Sequence, residues 1–129
     1  MEPARTPRPR VLIVDDCRDA ADSLALLVKL WGYAPAVAYD GPSALALASA
    51  EPPAAVLLDI VMPHMDGYEV ARRLRKLAGA EAAFLIALTG VEREDGIRRC
   101  YEAGIDLHFV KPYDTVDLWR ALQTTLAAR

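Results

Sequence analysis

The chain has 129 residues, of which 53% are hydrophobic, and its formal net charge is -3. This length and hydrophobic content suit one domain with a single core. The negative charge gives no whole-protein electrostatic reason to bind nucleic acid or an anionic membrane surface. No apolar run approaches the roughly 20 residues that span a bilayer, and the N-terminus lacks the apolar segment of a secretory signal, so we expect a cytoplasmic protein.

Residues 1–9 are rich in proline and arginine, a composition that disfavours a helix or a central strand. We interpret them as a disordered tail or the end of a linker, and residues 10–129 as the domain. Cys17 and Cys100 are too few and too far apart in sequence for a disulfide framework or a metal-thiolate motif, and a reducing compartment keeps them as thiols.

Short apolar runs bounded by turn residues predict five strands. The central run is apolar up to a terminal Asp59 and too short for an ordinary helix, which is typical of a strand buried on both faces. Pro35 cannot donate a ladder hydrogen bond, so we place the second strand at the edge of the sheet. The predicted strands comprise residues 11–14, 33–39, 56–59, 84–88 and 107–110.

Helices are predicted between the strands, at residues 19–31, 43–50, 67–77 and 92–103, with a last helix capped by Asp114 or Thr115. Gly32 is expected to end the first helix, and Asp66 to cap the third. Gly96 costs the fourth helix about 1 kcal/mol relative to alanine, so we expect that helix to be the weakest. The regular alternation of strands and helices indicates parallel pairing through right-handed crossovers, in a three-layer α/β sandwich.

The first helix carries two apolar strips. One has the spacing of a buried stripe and comprises Leu24, Leu27, Val28 and Trp31. The other either contacts a partner helix or is covered by neighbouring side chains, and comprises Ala21, Ala25, Leu26 and Leu30. The third helix carries a basic cluster that we expect to face water, formed by Arg72, Arg73, Arg75 and Lys76.

Side chains with chemical function follow four of the predicted strands. They are Asp15 and Asp16, Asp59, Thr89, and Lys111. Because ligands bind at the carboxyl ends of parallel strands, these groups are expected to share one edge of the sheet. Three carboxylates suit Mg2+ or Mn2+ rather than zinc, while the ammonium and the hydroxyl suit phosphoryl oxygens. Asp59 stands alone at the end of a central strand, opposite a pair better suited to hold metal, and is therefore the better nucleophile for in-line phosphoryl transfer.

Together these motifs resemble the receiver domains of bacterial two-component response regulators, over about residues 10–127. The matching segments are Val-Asp15-Asp16, Leu58-Asp59-Ile-Val-Met62-Pro63-His-Met-Asp66-Gly67, Thr89-Gly90 and Val110-Lys111-Pro112. The resemblance implies a CheY-like, flavodoxin-like fold: a doubly wound, five-stranded parallel sheet in the order 2-1-3-4-5, flanked by five helices.

The resemblance also implies roles for the residues at the sheet edge. Asp59 is the phospho-acceptor. Asp16, Asp59 and the backbone carbonyl of Val61 are the direct ligands of Mg2+ or Mn2+, and Asp15 acts through water. Lys111 pairs with the acyl phosphate.

Two further features follow from the family pattern. Thr89 moves towards the phosphoryl group on activation, and the Lys111-Pro112 peptide bond is cis, a minority conformation even before proline.

The chain also departs from the family pattern. Where the family usually has an aromatic switch residue, this chain has His108, which can change rotamer likewise and whose charge near pH 6 to 7 can couple the switch to protons. Apolar Val61 and Val91 stand where family members control the access of water, which predicts a long-lived phosphoryl group.

The sequence therefore predicts a phospho-accepting module in a phosphorelay. A sensor histidine kinase or histidine phosphotransferase donates to Asp59, and the surface of the fourth helix, fifth strand and fifth helix changes its affinity for a protein target or for a second copy. The segments around Asp19 and Thr89 are similar to receivers of hybrid histidine kinases. The sequence is compatible with three possibilities: a free-standing regulator, a protein that relays phosphate onward, and the receiver segment of a hybrid histidine kinase.

Two other classes of protein are alternatives. A metal-dependent phosphatase or phosphotransferase with an aspartyl intermediate would turn over an external substrate, but the haloacid-dehalogenase type needs an aspartate where Val61 stands. A nucleotide or flavin carrier would need a glycine-rich phosphate loop after Val14, and that loop is missing. The protein is therefore not expected to be an enzyme beyond its own phosphorylation and dephosphorylation.

Overall fold

The computed structural model describes residues 8–90 and 94–127, without the side chains of residues 94 and 95. Strands and helices alternate along this part of the chain: β1 (Arg10–Val14), α1 (Arg18–Leu30), β2 (Ala34–Ala38), α2 (Gly41–Ala50), β3 (Ala55–Asp59), α3 (Gly67–Lys76), β4 (Phe84–Thr89), α4 (Glu94–Glu102), β5 (Leu107–Val110) and α5 (Thr115–Ala127). Most of the predicted tail lies outside the described residues, so that interpretation stays a prediction.

The strands form one parallel sheet in the order β2-β1-β3-β4-β5. This order confirms the predicted doubly wound, flavodoxin-like sandwich. Pro35 lies on the edge strand β2, opposite Val11 of β1. Because an edge strand has a neighbour on one side only, a proline there does not interrupt the hydrogen bonds between strands. Every residue of the central strand β3 is buried.

Two apolar layers cover the faces of the sheet, and alternate residues of each strand supply them. In β1, Val11 and Ile13 pack with α1 and α5, whereas Leu12 and Val14 pack with α2, α3 and α4. The helices contribute their apolar stripes to these layers, so the sheet is covered on both sides and its carboxyl ends remain at one open edge. None of the described helices combines the length and the apolar character that crossing a membrane requires.

Helix α2 begins two residues earlier than the sequence pattern predicted. Asp40 caps it, with its Oδ1 accepting from the backbone N–H of Ser43 at 2.7 Å. Pro42 therefore lies in the first helical turn, where a proline loses no intrahelical hydrogen bond. The fourth helix was predicted at residues 92–103, and its described part ends at Glu102.

The prediction for α1 was partly wrong. Ala21 is buried in the core rather than in the outer strip. Leu26 and Leu30 are 60% and 72% exposed, so neighbouring side chains do not cover them. Gly32, with φ of +99°, follows the end of α1 as predicted.

The basic cluster of α3 was also partly misassigned, because Arg75 does not face water. Its guanidinium donates to the carbonyl oxygens of Gly104, Glu81 and Ala83 and to the Asp106 carboxylate, at 2.6 to 2.9 Å. Arg75 thus joins α3 to the segments that precede β4 and β5.

Candidate functional site

The register of the sheet brings the predicted site residues to one edge. Asp59 is the last residue of β3 and lies opposite Leu88 of β4. Thr89 ends β4 and lies opposite Val110, the residue before Lys111. The backbone N–H of Lys111 donates to the carbonyl of Thr89 at 2.6 Å, so β4 and β5 remain paired up to the site.

Three carboxylates meet at this edge. Asp15, Asp16 and Asp59 each offer an oxygen, and these atoms lie within 4.8 Å of one another. Asp15 and Asp59 are buried, whereas Asp16 is exposed. Asp15 is oriented by the backbone N–H of Cys17, which donates to its Oδ1 at 2.9 Å. The sequence pattern did not single out this contact of Cys17.

Burial raises the pKa of Asp59 from 3.8 to about 6. The Lys111 ammonium, 3.6 Å from Asp59 Oδ1, opposes this rise, and so does a hydrogen bond from the backbone N–H of Val61. The charges of Asp15 and Asp16 add to it. Desolvation and like-charge repulsion therefore outweigh the ion pair, and the site holds an energetically costly carboxylate.

The donor set fits a hard divalent cation. The three side chains of this cluster offer carboxylate oxygens, and among the described residues neither histidine nor cysteine belongs to it. Such a set of oxygen ligands suits Mg2+ or Mn2+. A dication would relieve the repulsion that raises the pKa of Asp59. Val61, two residues after Asp59 in the chain, is 73% exposed.

The segment after β3 is fixed against the backbone of Asp59. A Cβ on Gly67 would lie 2.6 Å from the carbonyl oxygen of Asp59 and 2.7 Å from the Cα of Ile60, so no side chain fits there. The N–H of Gly67 donates to the carbonyl of Ile60 at 2.8 Å. Asp66 caps α3, with its Oδ1 accepting from the N–H of Glu69 at 3.0 Å, which agrees with the sequence pattern.

The predicted switch residues lie on the two strands that follow β3 in the sheet, Thr89 at the end of β4 and His108 on β5. Thr89 is buried, and the Lys111-Pro112 peptide bond is cis. His108 is half-buried, and its ring meets Tyr101 of α4 edge-on at a centroid distance of 6.4 Å. Its Nδ1 is buried and has no hydrogen-bond partner among the described residues. Val91 lies outside the described residues, so its effect on water access stays a prediction.

Sequence reasoning missed two features near the site. Tyr113 is half-buried near the acidic cluster, and its pKa is raised by burial and, to a smaller extent, by Asp15. An aromatic residue two positions after Lys111 was the available signal. A cleft of about 580 Å³ also opens beside Asp16, between the loops that follow β2 and β3, and Tyr39 and Met62 contribute to its lining.

A family model described as the response regulator receiver domain matches residues 11–123. The chain belongs to the response regulator receiver domain family. Members of this family typically serve as regulatory domains rather than enzymes, and their phospho-accepting switch agrees with the site described above. Nothing favours the alternative of a phosphatase or phosphotransferase.

Relatives of this receiver domain differ in length. Response regulator MprA of Mycolicibacterium vanbaalenii is 35% identical over 91% of this chain but only 50% of its own length, so the chain spans about half of that relative. A 14.6 kDa protein of Leptolyngbya boryana from the sodA1 3' region is 34% identical over 88% of this chain and 86% of its own.

Solved structures share the receiver fold. The CheY-like receiver domain protein from Methanospirillum hungatei has 28% identity and a TM-score of 0.87, covering 94% of this chain and 95% of its own. The receiver domain of sensor histidine kinase PA1611 from Pseudomonas aeruginosa has 26% identity and a TM-score of 0.84, covering 93% and 98%. That structure has a magnesium ion coordinated in its active site cleft.

Proposed function

We propose that Asp59 accepts a phosphoryl group from a phosphohistidine of a sensor histidine kinase or a histidine phosphotransferase. The observation that carries this proposal is the convergence of three carboxylates and the Lys111 ammonium at one sheet edge in a receiver domain. Receiver domains act with histidine kinases and downstream effectors, and two similar solved structures are receivers of histidine kinases.

The chemistry is a displacement at phosphorus. An oxygen of the ionised Asp59 attacks the phosphorus, the bond from phosphorus to the donor imidazole nitrogen breaks, and the imidazole leaves with that electron pair. Lys111 stabilises negative charge on the phosphoryl oxygens, and the Thr89 hydroxyl donates to one of them. With a pKa of about 6, Asp59 is mostly ionised at neutral pH, while its incomplete solvation keeps it a better nucleophile.

The cation proposed for this site is Mg2+ or Mn2+. Asp16, Asp59 and the backbone carbonyl of Val61 would hold it directly, and Asp15 through water. The cation supplies positive charge that offsets both the carboxylate repulsion and the charge of the phosphoryl group.

Phosphorylation then acts on a protein-binding surface. Thr89 moves towards the phosphoryl group, His108 changes rotamer, and the face formed by α4, β5 and α5 changes its affinity for a target. Tyr101 on this face is 56% exposed, which supports docking of a protein target or a second copy there. We propose that this relay operates in the cytoplasm.

Asp16→Asn tests the metal site, with Asp19→Asn as the matched control, because Asp19 is an exposed acid outside the cluster. We expect wild type and the control to gain one phosphoryl adduct from acetyl phosphate only with Mg2+ present. Asp16→Asn should need at least tenfold more Mg2+ for the same rate. Equal Mg2+ dependence in all three proteins, measured by intact mass, would contradict the proposal.

A further inference from the structure

The first turn of α3 joins the phospho-acceptor to helix α4. Gly67 rests on the backbone of Asp59 and Ile60 without room for a side chain, and the next residue, Tyr68, is 8% exposed. Tyr68 belongs to the core layer that also contains Cys100 of α4. Two adjacent residues of α3 therefore connect the backbone of Asp59 with the core layer next to α4.

Three groups of α4 contact the Tyr68 side chain. Its hydroxyl donates to the carbonyl of Gly96 at 3.4 Å. The guanidinium carbon of Arg99 stacks 4.2 Å from the ring centroid. Burial raises the pKa of Tyr68, and the adjacent Cys100 thiol raises it further, so the hydroxyl remains a neutral donor.

These contacts fall on the helix that the sequence predicts to be the weakest. Gly96 lies in the first turns of α4, where glycine has a poor helix propensity. The described part of α4 is short, Glu94–Glu102, and its buried side chains are few, Cys100 among them. A hydrogen bond and a cation–π contact with α3 therefore add to the few packing contacts that position α4.

We propose that Tyr68 is a positioning residue that holds α4 in its unphosphorylated arrangement and so limits phosphorylation of Asp59. This link is separate from the route through Thr89 and His108, because it leaves the site through the segment after β3. It rests on the proposed function. Loss of the hydroxyl should raise the fraction of molecules already in the phosphorylation-competent arrangement, and the rate rises in proportion to that fraction.

Tyr68→Phe is the direct test, because it removes the hydroxyl and keeps the stacked ring. The matched control is Tyr33→Phe, the same change at a buried tyrosine in the α1 and α5 layer. With acetyl phosphate and saturating Mg2+, Tyr68→Phe should be phosphorylated roughly two- to fivefold faster than wild type, within the range of one neutral hydrogen bond. Tyr33→Phe should match wild type.

Hydrogen exchange separates positioning from a merely structural role. In Tyr68→Phe the amides of α4 should exchange faster than in wild type before phosphorylation, and equally fast after it. Unchanged phosphorylation, or faster α4 exchange in both states alike, would overturn the inference. If wild type itself gains no phosphoryl group, the proposed function fails instead, so the two failures are distinguishable.

A second pair of variants decides the matter if Tyr68→Phe does not fold. Arg99→Gln removes the cation–π contact from an exposed position, and Arg98→Gln is its neighbour on the same helix, ion-paired with Glu102. Arg99→Gln should also speed phosphorylation, by less than about threefold, whereas Arg98→Gln should not. Equal rates in these two variants would contradict the role of Tyr68.

Discussion

Neutralising Asp59 should stabilise the metal-free protein at neutral pH. A folded-state pKa of about 6, against an ordinary 3.8, corresponds to about 3 kcal/mol for keeping this carboxylate ionised in the folded protein. Asp59→Asn preserves the shape and removes the charge. Because the cluster lies at the rim and water screens part of the repulsion, we expect a gain of about 1 to 3 kcal/mol in unfolding free energy at pH 7.5.

The pH dependence has a defined sign. Because the folded protein binds the Asp59 proton more tightly than the unfolded chain, this group's contribution is fully present below about pH 4 and is lost as the pH rises through about 6. The stability advantage of Asp59→Asn should therefore grow between pH 4 and pH 6 and then level off. Urea unfolding in EDTA, across this range, measures it.

Mg2+ should offset most or all of this stability advantage of Asp59→Asn. At 100 times its dissociation constant, a cation stabilises the wild type by about 2.7 kcal/mol, whereas Asp59→Asn has lost a charged ligand. Asp19→Asn, outside the cluster, should follow wild type under both conditions. The reasoning is refuted if Asp59→Asn in EDTA is no more stable than wild type at pH 7.5, or if its advantage does not change between pH 4 and pH 6.

Three further predictions concern single side chains. Lys111→Gln should raise the pKa of Asp59 above about 6, because the ammonium lowers it; NMR titration of the carboxyl carbon measures this, and an unchanged or lower value would contradict the ion pair. Arg75→Leu should lower the free energy of unfolding by about 2 to 4 kcal/mol, because it leaves half-buried carbonyls without donors. In the same urea experiment, the surface variant Arg72→Leu should lower it by under about 1 kcal/mol. Asp66→Ala should cost about 1 kcal/mol through loss of the α3 cap, and no change in the urea midpoint would refute that assignment.

The fold was predictable because local patterns agree with one another. The apolar run ending at Asp59, the edge proline Pro35 and the cap Asp66 each depend on residues close in sequence, and the structure has each of them as predicted. Parallel pairing then requires the strand ends to meet at one edge, which brings Asp15 and Lys111 together from opposite ends of the chain.

The errors arose where long-range packing decides the outcome. Arg75 has the helical spacing of a solvated residue, but carbonyls from the segments before β4 and β5 come within reach of its guanidinium. Ala21 is an exception: it lies three residues before Leu24 and seven before Val28 and belongs to the same buried stripe of α1, so its assignment to the outer strip was an error of grouping and not of packing. Tyr68 reads as one more apolar residue of α3, and its contacts with α4 depend on an approach between helices that are distant in sequence.

The most direct test of the central claim is intact-mass measurement after treatment with acetyl phosphate and Mg2+. Wild type should gain one phosphoryl group, and Asp59→Asn should gain none while remaining folded. An adduct on Asp59→Asn, or none on folded wild type, would contradict the assignment of Asp59 as the phospho-acceptor.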